Sequence, residues 1–132
     1  MRSITYQGNV LAQVVSISEC KETFHFLTQP EDALQIGLFR YDAGQLIQNH
    51  VHQLFPRTAE KTCEMLLVLQ GRMRADIFTN EREPVGSMEV GANELILLLE
   101  GGHGFEVLEA GTVILEAKNG PYYGVEQDKV KF

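Results

Sequence analysis

Apolar residues along this chain gather in short runs separated by glycine-rich breaks. No window carries the i, i+3, i+4, i+7 stripe of an amphipathic helix. Val10–Ile17 (VLAQVVSI) and Leu34–Tyr41 (LQIGLFRY) are rich in β-formers and predict strands, and Leu46–His52 predicts a third after a turn at Asp42–Gly44. Met65–Leu69 and Met73–Phe78 are separated only by Gln70, Gly71 and Arg72, a spacing that predicts a tight hairpin. Thr79–Ser87 is polar, contains Pro and Gly, and predicts a loop or hairpin tip. Leu95–Leu99, Gly104–Leu108 and Thr112–Ala117 complete the strand series, broken by Gly101–Gly102 and Ala110–Gly111. Pro30–Leu34 suits one helical turn at most.

Roughly eight to ten short strands with glycine-rich turns predict an all-β sandwich or barrel. The runs MLLVL and LILLL are apolar at every position, so both faces of those strands need cover. A second sheet or a second subunit would supply it, and a homodimer is expected on that ground. The chain has 132 residues, enough for one full hydrophobic core and too few to expect two, so residues 1–132 are taken as a single domain.

Eighteen acidic and eleven basic residues leave a net charge of −7, with no basic run to meet a phosphate backbone; nucleic acid is excluded as a partner. The opening MRSITYQGNV lacks the apolar core of a secretory signal, and the longest apolar run, Leu95–Leu99, is far too short for a bilayer span. A soluble cytoplasmic protein without membrane contact is expected. Cys20 and Cys63 form no CxxC pair and predict two reduced, packed thiols, although a single bridge between them also fits the sequence.

The chemistry-bearing stretch is GQLIQNHVHQ, Gly44 to Gln53. On a strand, His50 and His52 would project from one face, which suits chelation and equally suits a solvent-facing pair. The chain's other histidines are His25, flanked by Phe24 and Phe26 and read as a packed residue, and His103, which follows Gly101–Gly102. Imidazole nitrogen and carboxylate oxygen together satisfy a divalent transition metal such as Zn, Fe, Mn or Ni.

The pattern Gly44-x5-His50-x-His52-x11-Glu64-x6-Gly71 resembles the first motif of the cupin superfamily, and Gly91 through His103 resembles the second. The resemblance covers residues 44–103. It implies a double-stranded β-helix, or jelly-roll, barrel whose interior metal is held by His50, His52, Glu64 and His103. The spacer QLFPRTAEKTC is longer than the usual three or four residues, so Glu64 is matched through its distance to Gly71, with Glu60 as its rival. The second motif lacks its proline, and Val107 stands where its asparagine would fall.

The resemblance implies a small metal-dependent enzyme acting on a small hydroxylated or anionic metabolite. Isomerase or epimerase and dioxygenase chemistry are both open, and in GGHGFEVLE and KNGPYYG the chain resembles small cupins associated with carbohydrate metabolism, a resemblance that leans the substrate toward a sugar. Tyr41, Arg57 and Lys118 are the candidate catalytic side chains. Arg57 suits a carboxylate or phosphate, though ordinary solvated or packing roles serve all three, as they do Tyr122 and Tyr123. The competing reading is a non-catalytic module that binds a small molecule with or without a metal. The chain has no Ser–His–Asp pattern, phosphate-cradling loop or dinucleotide fingerprint.

Overall fold

The structure, a computed structural model, describes residues 1–19, 21 and 24–132, Phe24 by its backbone alone. It is an all-β protein, 45% strand and 5% helix. The strands are β1 (Arg2–Tyr6), β2 (Asn9–Ser16), β3 (Phe24–Phe26), β4 (Gly37–Phe39), β5 (Glu64–Gln70), β6 (Arg72–Phe78), β7 (Pro84–Gly91), β8 (Glu94–Leu98), β9 (Gly102–Val107) and β10 (Val113–Lys118). A 3-10 turn (Ile17–Glu19) and a single helical turn, α1 (Val125–Asp128), are the helical pieces. Every strand pair is antiparallel. A five-stranded sheet runs β1-β2-β8-β5-β10, a three-stranded sheet β7-β6-β9 and a hairpin β3-β4, and none of them closes into a barrel.

Alternation along the strands builds the core. Ala12 and Val14 of β2, Leu66 and Val68 of β5 and Ile96 and Leu98 of β8 face Met73, Ala75 and Ile77 of β6 and Val90 of β7, all buried in one cluster between the two larger sheets. The opposite face of the five-stranded sheet carries a second cluster of Val15, Leu95 and Leu97, with Met65 and Leu67 packed against it. Leu27 and Ile36, which lie between the two strands of the β3–β4 hairpin, join that cluster. The doubly apolar run LILLL is thus covered on both faces within the chain, inward by the sandwich and outward by the hairpin layer. Leu69, Val113 and Leu115, farther along β5 and β10, remain exposed.

Four sequence expectations change. Met65–Leu69 and Met73–Phe78 are not a hairpin: β5 and β6 lie in different sheets, and Gly71, at φ +81°, turns the chain from one to the other. Of the loop or hairpin tip expected over Thr79–Ser87, the structure shows the tip of the β6–β7 hairpin, shorter than expected: a turn closed by Arg82 N–H to Thr79 O, because β7 begins at Pro84. Proline is tolerated there as the first residue of an edge strand. The Leu34–Tyr41 strand contracts to Gly37–Phe39, since Ile36 N–H is taken by the Thr28 hydroxyl. Leu46–His52 forms no strand. Residues 41–62 are exposed throughout and have no sheet neighbour to pair with.

Cys63 is a buried free thiol, its Sγ–H directed at Leu99 O at 3.5 Å, whereas Cys20 lies outside the described residues. Among the described residues no helix is long and apolar enough to cross a membrane.

Candidate functional site

Strand register assembles a site at one end of the sandwich. Glu64 opens β5 and shares its inward face with Leu66 and Val68, so its carboxylate points between the sheets at 3% exposure. Lys118 stands opposite Glu64 in the β5–β10 ladder, and directly opposed residues share a face. His103 stands opposite the buried Ile77 in the β6–β9 ladder and therefore also projects inward, from the other sheet. The two sheets meet in a hydrogen bond of 3.1 Å between His103 Nε2 and Glu64 Oε2.

A buried carboxylate is costly without partners, and Glu64 has three cationic or protic ones. Lys129 Nζ lies 3.6 Å and Lys118 Nζ 4.0 Å from its Oε1. The hydrogen bond from His103 holds the carboxyl below the usual carboxylate range. Desolvation opposes that shift, and the charges of His103, Lys129 and Lys118 reinforce it. Lys118 also reaches Asp128 Oδ2 at 3.3 Å and lies 4.7 Å from the ring centre of Tyr122. Desolvation would lower its pKa, but the Asp128 hydrogen bond and the charges of Asp128, Glu64 and Glu116 outweigh it and raise it. Above the pair opens a cavity of about 1120 Å³, lined by Glu64, His103, Asp76, Phe105 and the segment 127–132 among others.

The sequence candidates divide into two groups. Glu64, His103 and Lys118 come together. His50 and His52 lie 5.3 Å apart between ring centres on the exposed segment, where His50 Nδ1 is 2.9 Å from Gln48 O, away from the cavity lining. Arg57 rests its guanidinium 3.8 Å from the ring centre of Phe55, and Tyr41 stacks on Phe39 at 5.9 Å; neither lines the cavity. Glu60, the rival of Glu64, lines the cavity from the exposed segment. His25 lies in β3, by a separate, smaller pocket. Among the described residues no group of three or more His, Cys, Asp or Glu side chains is placed to hold a metal ion.

Asp128, Lys129 and Phe132 were not singled out from the sequence. They reach the site over more than sixty residues of chain, from a stretch whose only local signal is the density of charges in VEQDKVK. No protein-family model matches the chain, and neither curated proteins nor solved structures give a match.

Proposed function

We propose that this chain is a small cupin-type protein, a jelly-roll opened along one edge, that takes a small hydroxylated or anionic metabolite into the cavity over Glu64 and His103, with carbohydrate as the substrate class. The observation that carries the reading is a carboxylate 3% exposed, hydrogen-bonded at 3.1 Å to a histidine of the facing sheet, at the base of a cavity of about 1120 Å³. A buried charge bonded to an imidazole at a cavity wall is the arrangement a proton-transfer site needs.

With Nε2 donating to Glu64, Nδ1 is the nitrogen of the neutral ring that accepts a proton. Glu64 fixes the ring and stabilises the imidazolium formed when it does. Isomerase or epimerase chemistry follows: His103 removes a proton from a carbon beside a carbonyl and returns it to the same or a neighbouring carbon. The test is to incubate ketoses, aldoses and sugar acids with the protein in D2O and follow deuterium at those carbons by NMR. Incorporation by the wild type that is lost in His103→Ala supports the reading. No incorporation across the panel, with no ligand-induced change at cavity residues, removes it.

The divalent ion that the cupin resemblance implies has two of its four donors here. Two donors do not complete a site, and the ammonium groups at 3.6 and 4.0 Å compete for the same carboxylate. The residues as arranged do not fit an ion, and no step is routed through one. A metal-dependent reading requires the segment bearing His50 and His52 to close on the pair. One observation favours it: Phe105 and Val107 share the inward face of β9 with His103, yet they are 41% and 60% exposed at an unpaired sheet edge. Elemental analysis of protein purified without added metal decides. A stoichiometric Zn, Fe, Mn or Ni ion that is lost in the His50→Ala/His52→Ala variant establishes the metal reading; sub-stoichiometric metal in both proteins eliminates it. The homodimer belongs with these proposals, supported by the exposed Leu69, Val113 and Leu115 on the outer sheet face.

A further inference from the structure

The end of the segment 124–132, residues 127–132, lines the cavity and is held there at three points. Asp128 bonds Lys118 Nζ and the Thr62 hydroxyl, each at 3.3 Å. Lys129 reaches Glu64 at 3.6 Å. Phe132 stands edge-on to Phe78, ring centres 5.1 Å apart, with the Arg82 guanidinium 5.5 Å from its own ring centre. Gly102 forms the seat for that ring, since a Cβ there would lie 3.3 Å from Phe132. The opening residue of β9 is therefore shaped to receive this segment.

Between its anchors the segment turns positive charge toward the cavity. Its one lining acid, Asp128, is neutralised by Lys118. Three other lining acids are already paired as well, Glu64 with Lys129, Asp76 with Arg74 and Glu100 with Lys61, while Glu60 has no ion pair among the described residues. Lys131 lines the same cavity and has no ion pair among the described residues.

We propose that the segment 124–132 is the selecting wall of the site, and that Lys131 binds one anionic group of the ligand, a carboxylate or a phosphate, while Phe132 and Asp128 hold it in place. The inference rests on the cavity being a small-molecule site and narrows its ligand to an anion. A single ammonium near solvent gives about fivefold in affinity.

The experiment is an NMR titration of backbone amides in the full chain with gluconate, inorganic phosphate and glucose, for the wild type, Lys131→Met, Lys131→Arg and Phe132→Ala. The expected result is that gluconate or phosphate shifts resonances of the β9 start and of residues 127–132, and that glucose binds at least about fivefold more weakly. Lys131→Met removes that difference and Lys131→Arg restores it, at unchanged thermal midpoints. Phe132→Ala weakens anion binding even though the ammonium is retained. A stronger response to gluconate than to phosphate assigns a carboxylate, and the reverse a phosphate. The inference is overturned if glucose and gluconate bind the cavity alike, or if Lys131→Met binds as the wild type does; either outcome leaves the cavity itself a ligand site. Shifts confined to surfaces away from the cavity, or no shifts with any probe, overturn both the inference and the functional reading beneath it.

Discussion

Glu64 gathers the main electrostatic interactions of the site. It was reached in the sequence through the cupin resemblance, by its distance before Gly71; the run after it is apolar at every position, so only the structure shows that its side chain faces inward. His103 was reached from its place after two glycines in the cupin-like second motif, whereas Lys118 was named only as a residue following the expected Thr112–Ala117 strand, which in fact extends to include it. Lys129 was not reached, because no local period marks a side chain that arrives from a distant, irregular segment. The ordinary carboxylate value is about 4.3 in an unfolded chain, and the hydrogen bond from His103 depresses it in the folded protein. Its stabilising contribution is thus complete above the unfolded value and disappears as pH falls through the folded one. In metal-free protein the thermal midpoint is expected to fall on acidification below about pH 4. Glu64→Gln, which keeps the shape but leaves Lys129 without its carboxylate while Lys118 keeps Asp128, should cost about 1–3 kcal/mol at neutral pH and flatten that acid slope. Urea melts of both proteins at several pH values check it; equal slopes would show that the carboxylate is not ionised in its buried position. Burial likewise pushes the Cys63 thiol up. Brief alkylation of the native protein should therefore leave the Cys63 peptide unmodified by mass spectrometry until denaturant is added.

At the level of elements, the β-rich class was readable and the partner of each strand was not. Turn residues announce that the chain reverses, and they leave open whether it returns to the same sheet. Gln70–Gly71–Arg72 therefore passed for a hairpin although it is a corner between sheets. β1 and β7 were missed for a related reason. RSITY is short and mostly polar, PVGSMEVG carries Pro and Gly, and they qualify as strands only through the ladders offered by β2 and β6. The corner makes a specific demand on its glycine. Gly71 combines φ +81° with a Thr112 Cα only 2.9 Å from where a Cβ would stand, and the Thr112 hydroxyl is closer still, whereas Gly8, at φ +86°, has open space around it. Gly71→Ala is expected to destabilise by about 2–4 kcal/mol, backbone strain and steric overlap combined, and Gly8→Ala by about 1 kcal/mol, strain alone. Denaturant midpoints of the two variants give the comparison. Near-equal losses would mean that the corner relaxes away from Thr112.

At the scale of the whole molecule, the sandwich is closed where β5, β6 and β8 supply the core and open along β9. The sequence marked the strands of both sheets apart from β1 and β7, but it could not say that Leu46–His52 would go without a neighbour, since strand formation depends on an edge to pair with rather than on β-propensity alone. The result is an exposed stretch in which Leu46 and Val51 are 87% and 91% exposed, and a separate sheet edge along β9 with unpaired peptide groups. Hydrogen exchange separates the two consequences. In the arrangement described, amides of residues 46–60 make no backbone hydrogen bond, and they are expected to exchange at the rate of an unstructured chain. Those of β5, bonded on both sides by β8 and β10, should be protected to nearly the global stability. Adding Zn or Mn should leave this pattern unchanged if the site works with Glu64, His103 and the lysines alone. If the ion instead joins His50 and His52 to that pair, protection must appear together in residues 46–54 and along β9, and must be absent in the His50→Ala/His52→Ala variant. Protection of those residues before any ion is added would mean that the edge is already closed in solution by the chain itself or by a second copy. Repeating the exchange at tenfold dilution distinguishes these, because only cover by a second copy is lost on dilution.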